Sequence, residues 1–577
     1  MQLHCVLTFL VVGFVSQASK ALASTPLPNK WYKCPTYTVP GVANGSDVNA
    51  ECMTFEASMC YPGVCKTSAK ARRTIDVFVK RFPATSIKAE EASNVWMLAG
   101  GPGDSSSGME GDMVALHASL KGSVNVYTID PRGVRRSTRI DCASLHTTRS
   151  SSGDMMDTSW VPSCAKELHM KYGDLASFST TSVAMDIATF ISKYANGAST
   201  IVYGVSYGTM VVERLMHLNP SNVTGYVLDS IVTSSGTQAD KADISDSDTD
   251  TGEVGEHFMD LCEQDKDCGS HFQFTNLLTT LRNTYSSFDT DPNSTCAALI
   301  LNGTEDKPSD AIRYTLGSLL GDSSLRLLIP PLVYRLNRCD ANDVNVLTHY
   351  FERKNAPYPW TNSDPHGTSD LILHLVVFSE MWETPTPSYA DLMYRFTNAS
   401  VASDGVFIFL PSFCAYSKEK SPGCDEHGVG NYEADGILYS RDQYWNKTAA
   451  LPEQASVLLM NGKLDPLTPY KYAESLFKAL DTPRKELVAF DYASHALMGA
   501  TPYADGTKVC AMDLLASYVA NNGDLDLLDK SCMSEMPTLD MTATSDTVKY
   551  WLGTNDAYDG VASPADGEES VGLQKTR

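Results

Sequence analysis

The sequence predicts an α/β fold, a mostly parallel sheet flanked by helices and interrupted by a large, mainly helical insertion. Three observations carry this. Short β-branched apolar runs alternate with segments of helical spacing over residues 74–232, and the alternation resumes over 450–490. Residues 235 to about 445 lack it and are polar, then helical, with scattered aromatics and prolines. At the end of one apolar run stand Gly204-Val205-Ser206-Tyr207-Gly208, and a helical pattern begins at once after them.

The chain has 577 residues, too many for one simple core, so two domains or one domain with a large insertion are expected. Its composition is globular, 43% hydrophobic and 20% charged. The net charge of -24 disfavours phosphate-backbone binding, so nucleic acid is not an expected partner.

Taken in order, the first 23 residues read as a secretory signal. An apolar stretch at 5–15 is followed by the small-residue site Ala21-Leu22-Ala23, with cleavage before Ser24. The stretch is too short to span a bilayer comfortably, and no later segment is long and apolar enough to do so. Removing Cys5 leaves fourteen of fifteen cysteines, and an even count after a signal favours disulfides in a secreted chain. Cys34, Cys52, Cys60 and Cys65 suggest a stapled N-terminal extension, and the spacings that zinc would need are absent. Six sequons, at Asn44, Asn222, Asn293, Asn302, Asn398 and Asn446, are expected surface glycan sites.

Thr74–Phe82 alternates like a strand. The run 94–98 ends in Gly100-Gly101-Pro102-Gly103, and the run 124–129 ends in Asp130-Pro131-Arg132-Gly133. A helix is expected over 180–195 from the spacing of Val183, Ile187 and Ile191. Strands follow at 199–203 and 225–229, and later at 455–460 and 485–490, with a helix over 469–480 between the last two. The expected divisions are a signal (1–23), a first core part with its cysteine-rich extension (24–234), a cap insertion (235–445), a second core part (446–540) and a tail (541–577) that loses order from about Asp556.

Strand, G-x-S-x-G, helix is the nucleophile elbow of an α/β-hydrolase, in which a tight turn lifts a serine hydroxyl above the strand ends. Such a hydroxyl needs an adjacent base, and this fold orders its partners Ser, then Asp or Glu, then His. Asn461-Gly462-Lys463-Leu464-Asp465-Pro466 follows the first strand after the cap, which makes Asp465 the candidate acid. Among twelve histidines, His495 alone falls in a loop directly after a strand that follows the acid strand. Charge developing on the carbonyl oxygen needs preorganised donors. The N–H of Tyr207 is one candidate, and Gly101 the other, because Pro102 has no N–H. The Asp130–Gly133 turn reads equally as a buried ion pair or an exposed loop.

These motifs, extended by Val134-Arg135-Arg136-Ser137 and Leu467-Thr468-Pro469, resemble the proline iminopeptidase and tripeptidyl aminopeptidase family of α/β-hydrolase serine peptidases. The closing segment, Cys510, Ala516-Ser517-Tyr518-Val519, Asn522-Gly523-Asp524 and Cys532, looks like the tripeptidyl branch and implies a Cys510–Cys532 bridge. The resemblance covers roughly 75–232 and 450–532, not the cap. It implies Ser206 as nucleophile, Asp465 as orienter, His495 as general base, and Gly101 with Tyr207 as oxyanion donors. Ala99 stands where the family usually has histidine, and Ser494 and Ala496 flank His495 where glycine is usual.

An exopeptidase must also hold a free α-amino group, for which a cap carboxylate is the natural partner. Glu380 and Glu383, beside Trp382, are the candidates. The run Asp246-x-Asp248-x-Asp250 opens like a calcium loop but lacks its glycine and its closing glutamate, so neither metal nor other cofactor is expected. The function read from the sequence is a secreted serine aminopeptidase releasing short N-terminal peptides. The alternatives are an esterase or amidase on the same fold, or an inactive secreted binding protein.

Overall fold

A computed structural model describes residues 29–39, 48–66, 71–144, 157–301, 307–355 and 367–562. The signal segment and the sequons at Asn44 and Asn302 lie outside them. Nine strands form one sheet: β1 (Tyr32–Cys34), β2 (Ala50–Ser58), β3 (Thr74–Phe82), β4 (Asn94–Leu98), β5 (Asn125–Asp130), β6 (Thr200–Val205), β7 (Val223–Asp229), β8 (Ser456–Gly462) and β9 (Lys485–Phe490). Their order is β1-β2-β3-β5-β4-β6-β7-β8-β9. The β1, β2, β3 and β5 neighbours pair antiparallel, whereas every pairing from β5 through β4 to β9 is parallel. Every residue of β4, β5 and β8 is buried, as a parallel sheet covered by helices on both faces requires.

Because the central strands are parallel, their C-terminal ends share one edge. The loops after β4, β6, β8 and β9 therefore bring Gly101, Ser206, Asp465 and His495 to one side of the molecule, the place where open α/β sheets bind ligands. The Asp130–Gly133 turn resolves as buried ion pairs, though its two charges do not pair with each other. Arg132, fully buried, donates from Nε to Asp186 at 2.7 Å, and Asp130 accepts from Arg136 Nε at 2.7 Å. Burial pushes the Asp130 carboxyl up, but Arg136 and Ser106 outweigh it and hold it below the usual range.

Between β7 and β8 lies the helical cap. One part, including helices Asp370–Glu380 and Leu410–Ser417, shares a continuous core with the sheet's own helices. The other, with helices Ser247–Gln264, Leu277–Thr290, Pro308–Leu320, Ile329–Arg338 and Ala341–Asn355, has a separate core around Phe258, Leu281, Leu316 and Leu332. The C-terminal tail corrects the sequence reading. Helix Ser545–Leu552 completes this second core, the Tyr558 ring stacks on His271 at 3.6 Å, and Arg335 Nε donates to the Ala557 carbonyl at 2.7 Å. The chain is thus packed as far as Ala562, beyond the expected limit of Asp556.

All fourteen cysteines among the described residues pair, as Cys34–Cys52, Cys60–Cys65, Cys142–Cys164, Cys262–Cys268, Cys296–Cys339, Cys414–Cys424 and Cys510–Cys532. Asn293, Asn398 and Asn446 are exposed and Asn222 is partly so. Among the described residues no helix is long and apolar enough to cross a membrane.

Candidate functional site

Ser206 sits between β6 and helix Tyr207–Leu218 with φ 56° and ψ -128°, a strained conformation for a residue with a side chain. The turn is held on every side. A Cβ on Gly204 would lie 2.4 Å from the Gly208 carbonyl oxygen, and one on Gly208 would lie 2.8 Å from the Leu98 and Ala99 carbonyls. Ser206 N–H donates to the Asp229 carbonyl at 2.9 Å, and Thr209 Oγ1 donates to the Ser206 carbonyl at 2.6 Å. The two glycines therefore answer a steric demand, since only a hydrogen fits where strand and helix almost touch.

The loop after β4 closes over this turn. A Cβ on Gly100 would stand 2.9 Å from Ser206 Cβ and 3.4 Å from its Oγ. Gly101, at φ +108°, shares the wall of one cavity with Ser206 and Tyr207. Tyr207 opens its helix, where the first N–H groups have no intrahelical carbonyl to meet. Gly101 and Tyr207 thus stand beside the Ser206 hydroxyl on one cavity wall.

Asp465 and His495 meet. His495 Nδ1 lies 2.9 Å from Asp465 Oδ2 and 3.1 Å from Oδ1. Their loops are drawn together at Gly462, where a Cβ would fall 2.2 Å from the Ala493 carbonyl, and by the bond from Leu464 N to that same oxygen at 3.1 Å. Asp465 is fully buried and accepts from Leu467 N, Thr468 N and Thr468 Oγ1. Burial by itself would lower the His495 pKa; the charge and hydrogen bond of Asp465, with the charge of Asp229, outweigh it and hold the imidazole above the ordinary histidine value. An imidazole held this way keeps its second nitrogen for exchange with a hydroxyl.

Asp229 is a residue the sequence reading passed over as the end of a strand. Its carboxylate accepts from Leu497 N at 3.1 Å, Ser230 Oγ at 2.9 Å and Tyr203 Oη at 2.6 Å, and Ser230 Oγ in turn accepts from Ala496 N at 2.9 Å. Together with the Ser206 bond to its carbonyl, this makes Asp229 the joint between the serine turn and the histidine loop. Ala496 takes φ +61°, the conformation glycine would adopt freely, and the Ser230 bond fixes it there. Burial pushes the Asp229 carboxyl up to about 6, and burial with the Asp229 charge does the same to Asp112.

Glu380 and Glu383 do not enter the cavity, which corrects their assignment as holders of a substrate amine. Glu380 is buried, accepts from Thr180 N at 3.1 Å and Tyr439 Oη at 2.6 Å through Oε1, and faces Arg214 at 3.3 Å through Oε2. It braces the cap against the helix behind Tyr207. Glu383 is spent on Arg395. The acids that do line the cavity are Asp243, Asp250 and Asp404, and burial raises the pKa of each. Asp250 is held by Lys471 and Tyr472, both at 2.7 Å; Asp243 and Asp404 make no ion pair among the described residues, Asp243 accepting from Gln238 with the charges of Arg441 and Lys241 acting on it and Asp404 accepting from Ser247 Oγ at 3.0 Å. The cavity encloses about 270 Å³, and the rest of its wall is mainly apolar, with Phe378, Met381, Trp382 and Phe409 from the cap, beside the polar Ser247, His374 and Thr468. Asp246, Asp248 and Asp250 stand at the start of a helix rather than in a calcium loop, and among the described residues no group of three or more His, Cys, Asp or Glu is arranged to hold a metal ion.

Residues 438–532 match the family model of TAP-like proteins, a span that holds β8, β9, Asp465 and His495. No curated protein matches the sequence. Similar solved structures include alpha/beta hydrolase domain-containing protein 10 from mouse, at 9% identity over 79% of this chain and 96% of that one with a TM-score of 0.27. Others are a thermophilic esterase from Thermogutta terrifontis (10% identity, 75% and 89% covered, TM-score 0.27) and a Paleococcus ferrophilus monoacylglycerol lipase (12% identity, 73% and 91% covered, TM-score 0.25). Likeness of this degree leaves the substrate to be argued from the site itself.

Proposed function

We propose that this TAP-like α/β-hydrolase is a secreted serine aminopeptidase that releases short peptides from the N-termini of its substrates. In this reading Ser206 Oγ attacks the scissile carbonyl while His495, oriented by Asp465, takes its proton. The oxyanion forms against the N–H groups of Gly101 and Tyr207. His495 then protonates the departing amine, leaving an ester on Ser206, and water activated by the same imidazole frees the short N-terminal fragment.

The observation that carries the reading is the company Ser206 keeps. Its cavity is small, covered by cap residues, and carries two buried carboxylates: Asp404, whose partners among the described residues are hydroxyls, and Asp243, which feels the charges of Arg441 and Lys241 without an ion pair to either. Buried carboxylates are costly unless paired, so a substrate that brings an ammonium group is favoured there. The seven disulfides support an extracellular setting. The apolar part of the wall favours a rival, an esterase taking a short acyl chain. A panel of free and N-acetylated tripeptide amides against short-chain esters separates them. The proposal requires free N-termini to be cut in preference; equal cleavage of blocked peptides, or turnover of esters alone, contradicts it.

A further inference from the structure

A second cavity borders the imidazole of His495. It encloses about 670 Å³, more than twice the volume of the first, and its wall includes His495 but not Ser206. Core and cap both build it. The core gives Gly108, Asp112 and Ser494, and the cap gives Gly321, Ser323 and Ser324 from the turn between helices Pro308–Leu320 and Ile329–Arg338. The two sides approach closely, with Ser323 Oγ 3.3 Å from Ser494 Oγ.

We propose that this cavity binds the departing part of the substrate, a peptide chain of several residues led by the newly formed amine. This inference rests on the serine-hydrolase reading above and gives it a direction. Nδ1 of His495 is committed to Asp465, so the ring's other nitrogen delivers the proton to the leaving atom. The departing group therefore lies on the side His495 borders, while the acyl part stays with Ser206, Gly101 and Tyr207. The chemistry of the walls agrees. Both walls carry acids, Asp243, Asp250 and Asp404 in the acyl cavity and Glu110, Asp112 and Asp322 in the second; what the second adds is a set of serine hydroxyls and glycines, which suit the alternating donors and acceptors of a peptide backbone better than an alkyl chain. Its volume lies within the usual range of about 300–1,000 Å³ for pockets that enclose a ligand. A short acyl side and a roomy leaving side are what removal of small fragments from long peptides requires.

The reverse step tests this without needing the natural substrate. A p-nitrophenyl ester loads Ser206, and an added amine competes with water for the acyl group. In that step the amine nitrogen bonds to the acyl carbon, the Ser206 Oγ–carbon bond breaks, and the amine's proton passes to His495 and on to Oγ. The ratio of amide to acid product is measured with glycinamide and with triglycinamide as acceptors. The proposal predicts that triglycinamide is the better acceptor by at least about tenfold and saturates, the expectation for an occupied site worth about 1.4 kcal/mol. It predicts further that Ser324→Trp and, separately, Gly321→Trp lower the triglycinamide ratio toward that of glycinamide. Equal ratios for the two acceptors in the unaltered protein, or ratios indifferent to both tryptophans, overturn it. Because the ester loads the serine whatever the peptide specificity, failure here is distinct from failure to cleave free tripeptide amides.

Discussion

Replacing Glu380 by glutamine separates a brace from a substrate anchor. Oε1 already takes Thr180 N at 3.1 Å and Tyr439 Oη at 2.6 Å, so the amide oxygen must occupy that place and the amide NH2 must turn toward Arg214. There it meets Nη2 of a guanidinium that is 1% exposed, whose Nε and Nη1 have no hydrogen-bond partner among the described residues, and whose carboxylate stood 3.3 Å away. Donor faces donor, and a buried cation loses its counter-charge. Breaking a buried pair from one side costs about 3–5 kcal/mol; the two retained hydrogen bonds place Glu380→Gln near about 3 kcal/mol. Urea unfolding measures the loss. The same variant should leave KM for a free-amine tripeptide amide within about twofold, because uniform substrate binding is untouched. A KM raised about tenfold or more with unchanged unfolding free energy would refute the reasoning and return Glu380 to the substrate site.

Other perturbations follow from the same geometry. Asp404→Asn should lower kcat/KM for free tripeptide amides by roughly 10- to 150-fold, the equivalent of about 1.5–3 kcal/mol for a hydrogen bond to a charged group, and leave N-acetylated substrates unaffected. In Asp229→Asn, loss of a negative charge that favours the imidazolium lets the His495 pKa fall, so the acid limb of the kcat/KM profile should move to lower pH; a limb that stays in place or moves upward contradicts the coupling. Gly100→Ala places a methyl 2.9 Å from Ser206 Cβ and should reduce ester turnover by about 10–100-fold while the far-UV circular dichroism is retained, since small misplacements at a nucleophile are costly.

Much of this was legible in the sequence because it is local. The elbow glycines are dictated by contacts within five residues and by a neighbouring strand end, and the parallel sheet by short apolar runs. The order of serine, acid and histidine loops follows from strand order. What stayed hidden depends on partners far along the chain. Glu380 looked available beside Trp382 because Arg214 lies 166 residues earlier. Asp243 and Asp404 share a cavity wall only through the packing of the cap, whose helices carry buried acids such as Asp248 and Asp250 and so blur the apolar periodicity. The tail looked too polar to pack because Tyr558 finds its stacking partner, His271, in the cap. Asp229 has no motif around it, and its role lies in joining three loops.

The central claim is that Ser206 is a nucleophile activated by His495. Labelling with a fluorophosphonate, followed by peptide mass spectrometry, tests it most directly. The account predicts one label per chain on Ser206, none in Ser206→Ala, and a labelling rate that rises with pH through a pKa above the ordinary histidine value and collapses in His495→Ala. Label retained in Ser206→Ala, or a rate indifferent to His495, would contradict it.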